Sequence, residues 1–345
     1  MAVGPNGFIH IGPVRTGSTY IQKVFFQNAA VFERFGVSYP FVFPPALELP
    51  RYTNATFMWD HSRDDEAKRQ LQTLPKFLIS EEALFFQPWT LRHPAFDGLR
   101  TKLVLYVRRP ADLILSWVAE SAKPYNAVVK SLPDVHGPLS VTDGIEILSR
   151  YYEEGIWRFI SFAAGAQGDL DVDVRIFDRD SFIGNDLLSD FLYCLGLDAK
   201  AVRADPEFSD PGIINEAGSR KFCDVSHATW VALGSPNDMT TYNLSLVEEI
   251  VSRYRGGDHR PIIETVGDDV IAAITQRFAF FENFLSDVFL DGVPVFKNRY
   301  PPIYGKHREP YRPIDGREIE ALLEQASSAK GAIEQSRLSG RQTRK

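Results

Sequence analysis

Cysteine is nearly absent from this chain of 345 residues: Cys194 and Cys223 are the only two. A disulfide framework is therefore excluded as the basis of the fold, and a reducing compartment is the simpler setting. Cys194, in FLYCLGL, reads as a small core residue. Histidine is sparse too, with seven residues, and neither type falls at zinc-ligand spacings. No apolar run is long enough to span a bilayer. The first residues, MAVGPNGF, lack the basic and apolar regions of a secretory signal. The expectation is a soluble cytoplasmic protein with no membrane span. Positive charge is in deficit: 38 Lys and Arg against 45 Asp and Glu give a net charge of −7. That argues against a general nucleic-acid binder but leaves room for a local basic pocket around one anion.

What is present is an alternation. FIHI (Phe8 to Ile11), VSYPF (37–41), KFLIS (Lys76 to Ser80), KLVLYV (Lys102 to Val107) and VDVRIF (Val172 to Phe177) read as short buried strands. Helical patterns separate them. From Ser18, the residues Tyr20, Ile21, Val24, Phe25 and Ala29 recur at helical spacing until Gly36. DDVIAAITQRFAFFENFLSDVF (Asp268 to Phe289) is the clearest later helix. Apolar strands alternating with helices predict an α/β fold: a central parallel β-sheet flanked by helices, with a largely helical C-terminal half. The expected organisation is one domain over residues 1–324, with loop insertions near 40–75 and 121–142. A polar, basic tail occupies 325–345. The insertions contain the Pro-rich and aromatic stretches YPFVFPPALELPRY and KPYNAVVKSLPDVHGP. Loops of that length on such scaffolds carry substrate contacts or are decoration.

One stretch carries chemistry on its face. IHIGPVRTGST (Ile9 to Thr19) nearly spells the nucleoside-triphosphate loop G-x-x-x-x-G-K-[ST]. Gly12 and Gly17 hold the spacing and Thr19 the hydroxyl, but Ser18 stands where the lysine belongs, and Arg15 lies three residues earlier. A strand that turns through glycine into a helix presents backbone N–H groups and a helix dipole to an anion, typically phosphate. Ser18 and Thr19 add hydroxyl donors. Without the lysine, ATP chemistry of the usual kind is poorly supported.

GPVRTGSTYIQ resembles the 5′-phosphosulfate loop of the PAPS-dependent sulfotransferases, whose usual form is P-K-[ST]-G-[ST]-[ST]. Arg15 replaces the lysine most members carry. A second motif agrees. In LVLYVRRPADLILSW (Leu103 to Trp117), a strand leads to Arg108-Arg109-Pro110 and then a helix with Asp112 and Ser116. It resembles the family's 3′-phosphate motif R-[NDR]-P-x-[DE]-x-x-x-S. Pro110 suits a first helical turn, Asp112 complements the helix dipole, and Arg108 at a strand end offers a fork of donors. Softer likenesses lie in Asp171 to Asp198, in INEAGSRKF (214–222) and in YGKHREPYRPID (304–315), where Lys306 and Arg308 are candidates to close over the 3′-phosphate.

The resemblance implies a P-loop-like sulfotransferase domain that moves a sulfuryl group from PAPS to an acceptor hydroxyl or amine, leaving PAP, without a metal. The acceptor would be a small molecule or a carbohydrate. Gly12, Thr16, Gly17, Ser18 and Thr19 would hold the 5′-phosphate, and Arg108 and Ser116 the 3′-phosphate. Arg15 would stabilise the leaving phosphate electrostatically, since arginine does not donate a proton at ordinary pH. Glu81, then Glu82, at the end of the KFLIS strand are the expected general base; capping of the next helix is the other reading of the pair. His10 reads as a core histidine, and His61 and His93 stay open. The rival readings are a P-loop kinase-like phosphotransferase and a non-catalytic PAP- or nucleotide-binding module.

Overall fold

The computed structural model describes residues 5–40, 52–59, 64–123, 137–166, 170–212, 218–233, 244–296 and 311–326. Four strands form one sheet: β1 (Gly7–Ile11), β2 (Phe77–Ser80), β3 (Thr101–Val107) and β4 (Asp171–Ile176). Every pairing is parallel, in the order β2-β1-β3-β4. Ile9 lies between Ile79 and Leu103. The two central strands are apolar because the sheet is covered by helices, so no face needs polar residues. β4 lies at one edge of the sheet, and its alternating DVDVRI sequence is only partly buried.

The fold is thus α/β, a four-stranded parallel sheet flanked by helices, and mostly helical overall. Four of the five strands expected from sequence are present. Residues 37–40 of the remaining one make a single bridge, Ser38 to Phe77. The reason is chemical. The Ser38 N–H donates to the Lys76 carbonyl (3.0 Å), and the Ser38 carbonyl accepts from the Leu78 N–H (2.9 Å). The next rung needs an N–H from residue 40, which is proline. Asn54 takes over: its Nδ2 donates to the Leu78 carbonyl (2.7 Å), and its Oδ1 accepts from Ser80 N–H (2.9 Å).

The helical pattern after the loop is two helices, α1 (Ser18–Gln27) and α2 (Ala29–Arg34). Asn28 breaks it. Its side-chain amide donates to the Val24 and Ser209 carbonyls and accepts from Ser209 N–H (2.7–2.9 Å). Asparagine competes with the helix backbone in this way. Gly36, at φ 80°, closes the segment as expected. Next come α3 (Asp64–Thr73), α4 (Ala83–Phe86), α5 (Pro110–Ser121), α6 (Val141–Gly165), α7 (Leu187–Cys194), α8 (Ala199–Ala204), α9 (Arg220–Ala232) and α10 (Leu244–Arg253). The expected long helix at 268–289 is α11 (Asp268–Arg277) followed by α12 (Ala279–Phe289), interrupted at the fully buried Phe278.

Two compact units divide the chain. The first comprises residues 1–113, 150–216 and 273–299 and contains the sheet. Its core joins Phe8, Leu78, Val104 and Tyr106 of the strands to Ile21, Val24 and Phe25 of α1 and Phe191 of α7. A buried polar tie pins β3, β4 and α7 together. Asp190, 1% exposed, accepts from Tyr106 Oη (2.6 Å), Arg175 Nε (3.1 Å) and Ile183 N–H (3.0 Å). Burial and the adjacent carboxylate hold the Tyr106 phenol protonated far above its ordinary range. The second unit comprises 114–149, 217–272 and 300–345. Its core is helical, built from Val225, Ile250, Tyr254, Ile319 and Leu323. Among the described residues, no helix is long and apolar enough to cross a membrane.

Candidate functional site

Parallel strands put all their carboxyl ends at one edge of the sheet. Four segments leave from that edge: Gly12–Gly17 after β1, Glu81-Glu82 after β2, Arg108-Arg109 after β3, and Phe177-Asp178 after β4. The strand order also reverses at β1, the position where open α/β sheets form a ligand crevice.

The β1 loop has no room for a side chain at Gly12 or Gly17. A Cβ on Gly12 would sit 2.8 Å from Thr16 Oγ1 and 3.2 Å from the Tyr106 carbonyl. Gly17 has φ 79°, and a Cβ there would lie 2.4 Å from Leu187 and 2.8 Å from Phe177. Arg15 also has a positive φ, 72°, a conformation that costs a non-glycine residue on the order of 1 kcal/mol. Left-handed residues alternating with ordinary ones turn successive N–H groups toward one concavity, a geometry suited to anions. The Thr16 hydroxyl turns inward and donates to the Pro13 carbonyl (2.8 Å), so this side chain shapes the loop. Ser18 opens α1, and its hydroxyl donates to Glu82 Oε2. Thr19 is the second residue of α1.

Arg108 closes the loop from the β3 side. Its Nη1 donates to the Arg15 carbonyl (3.0 Å), and its guanidinium lies 5.5 Å from the centre of the Phe177 ring. Arg109 is held separately, by Asp112 (2.7 Å) and Asp178 (3.0 Å). Ser116 lies in the second turn of α5. Arg108 and Arg109 line a cavity of about 440 Å³ with Phe177, Phe182, Asn185 and Leu187. Phe177 and Leu187 are the same side chains that press on Gly17. Sequence reading missed them as site residues, although the end of an apolar strand was the signal available for Phe177.

The two carboxylates behave differently. Glu81 is tied down: Oε1 accepts from Ala83 N–H at the start of α4 (3.0 Å), and Oε2 accepts from Thr53 Oγ1 (2.7 Å). Glu81 thus also caps α4, while Glu82 reaches Ser18 at the start of α1. Behind them, His10 is 1% exposed, with Nδ1 2.8 Å from Ser80 Oγ and its ring against the edges of Tyr106 and Phe191. Burial pushes its pKa down to about 3, so the ring is neutral at working pH. His10 is thus a core residue. His93 is also buried; its Nδ1 accepts from Ala95 N–H (3.1 Å), and Nε2 lies 3.1 Å from Asp64. His61, Lys306 and Arg308 lie outside the described residues.

No protein-family model matches the chain, and no curated protein matches it.

Proposed function

We propose that this chain is a PAPS-dependent sulfotransferase with a P-loop-like nucleotide site. The observation that carries the reading is the Arg108 bridge. The arginine of the second motif donates directly to the Arg15 carbonyl of the first, so two stretches 93 residues apart act as one anion-binding surface. The shape of the loop supports a phosphate ligand. It has no Cβ at Gly12 or Gly17, two left-handed residues, and a helix start just beyond.

PAPS, when bound, supplies the sulfuryl group and leaves as PAP. The residues of this chain have separable tasks. The backbone of Thr16 to Thr19 holds the 5′-phosphate. Arg15 stabilises charge that develops on the departing phosphate, with no proton transfer of its own. Arg108, its guanidinium 5.5 Å from the centre of the Phe177 ring, offers its fork to the 3′-phosphate, the group that distinguishes PAPS from simpler adenylates. The cavity beside Gly17 offers the aromatic rings of Phe177 and Phe182 to the nucleoside. Glu81, fixed by Thr53 and the Ala83 N–H, is the first choice for accepting the acceptor's proton, and Glu82 is the second.

Turnover of labelled PAPS across a panel of small-molecule and carbohydrate acceptors tests the activity. Sulfated product from wild-type protein supports the reading. PAP binding without transfer to any acceptor points to the non-catalytic module instead.

A further inference from the structure

We infer that Glu82 sets how much negative charge the loop accepts, making it a specificity residue that favours a phosphosulfate over a diphosphate or triphosphate. The inference rests on the sulfotransferase reading and deepens it at the same site.

The argument begins with position 18. In a nucleoside-triphosphate loop this place belongs to a lysine, whose cation meets the β- and γ-phosphates. Here it is Ser18, the first residue of α1. Its hydroxyl has a single proton, and that proton is donated to Glu82 Oε2. A cation has thus been replaced by a hydroxyl with a carboxylate behind it.

The sequence makes this contact firm. Glu82 follows β2 and has helical backbone angles (φ −73°, ψ −28°) at the start of α4. Glu81, one residue earlier, is anchored by Thr53 and Ala83, and its N–H donates to the His10 carbonyl (3.1 Å). His10 in turn lies beside Ser80, its register partner. The strand that carries Glu82 is therefore locked to the strand that carries the loop.

The consequence concerns the terminal group of the nucleotide. A terminal phosphoryl carries roughly one negative charge more than a sulfuryl near pH 8, since its second pKa is about 6. Arg15 still offers a cation to the loop, so an anion is welcome there. A group with excess charge is repelled by Glu82 and must also compete for the Ser18 proton. At partly buried separations, one extra like charge costs about tenfold or more in affinity.

The test uses an isosteric pair, adenosine 5′-phosphosulfate and ADP, titrated at pH 8 with EDTA against wild type, Glu82→Gln and Ser18→Ala, each checked for a cooperative melt. Wild type should prefer the phosphosulfate by about tenfold or more, and Glu82→Gln should shrink that preference to within about threefold, mainly by tightening ADP. Ser18→Ala keeps the charge and should retain most of the preference, which separates charge from hydrogen bonding. An unchanged preference in Glu82→Gln overturns the inference, as does a wild type that binds PAP yet does not discriminate the pair. A wild type that binds neither PAP nor the phosphosulfate overturns the sulfotransferase reading with it.

Discussion

At the scale of single residues, the proposed site turns on Arg108, which commits one donor to the Arg15 carbonyl and holds its guanidinium 5.5 Å from the centre of the Phe177 ring. Replacing it by alanine should weaken PAP binding by about 10- to 100-fold, the usual range for losing hydrogen bonds to a charged partner. Lysine should not restore binding, because a point charge cannot reproduce the fork. Isothermal titration of both variants checks this. Glu81→Gln should leave PAP affinity unchanged and lower turnover by about 10²- to 10⁴-fold. Unchanged turnover would place the base elsewhere. The cysteines are set apart from this chemistry. Burial pushes both the Cys194 and Cys223 thiols up to about 12, and the Cys194 Sγ lies 3.3 Å from the Asp190 carbonyl. Both should resist a thiol reagent at pH 8 in the native protein and react on unfolding. Rapid native labelling of either would contradict this placement.

At the scale of elements, the sheet depends on a substitution the sequence conceals. Asn54 fills two backbone positions that a fifth strand would otherwise fill, since Pro40 cannot donate to the Leu78 carbonyl. Asn54→Ala leaves a buried carbonyl and N–H without partners and should cost about 1–3 kcal/mol each. A thermal or urea melt reads the loss, and no change would mean that water replaces the amide. The four strands were legible because each is a short apolar run between turn residues. The turns after β1 and β3 were legible as strand–turn–helix units because glycine and proline mark where those strands end and the helices begin. Other features were not. The break at Asn28 depends on the segment around Ser209, 181 residues away in sequence. Phe177 looked like the end of a strand and nothing more. The split between Glu81 and Glu82 depends on Thr53 and Ser18, which local sequence does not bring together.

At the scale of the whole molecule, stability should depend on acidity through a group remote from solvent. His10 is buried neutral with a pKa near 3, against 6.5 in an unfolded chain. Between those values the unfolded chain binds a proton that the native protein refuses. Stability is therefore retained above about pH 6.5 and falls on acidification, with His10 contributing a slope near 1.4 kcal/mol per pH unit down to about pH 3. A His10→Phe variant should show a shallower decline of unfolding free energy between pH 6 and pH 4, whatever its stability at pH 7. An identical slope would mean that other groups dominate acid unfolding. Net charge acts at the same scale: at −7, the chain does not attract anions as a whole, so in the proposed site the loop's backbone N–H groups, Arg15 and Arg108 would have to draw the nucleotide in locally.

The central claim is that the loop after β1 and the arginine after β3 form a site for a 3′,5′-bisphosphate adenosine nucleotide rather than for a nucleoside triphosphate. Thermal denaturation with saturating PAP in EDTA, set beside ATP with Mg²⁺, tests it most directly. Ligand at about 100 times its Kd adds about 2.7 kcal/mol to the unfolding free energy, which is a rise of several degrees in Tm for a domain of ordinary size. The account predicts that rise with PAP in the absence of metal and a smaller one with ATP and Mg²⁺. Stabilisation by ATP and Mg²⁺ alone, with none from PAP, would contradict it.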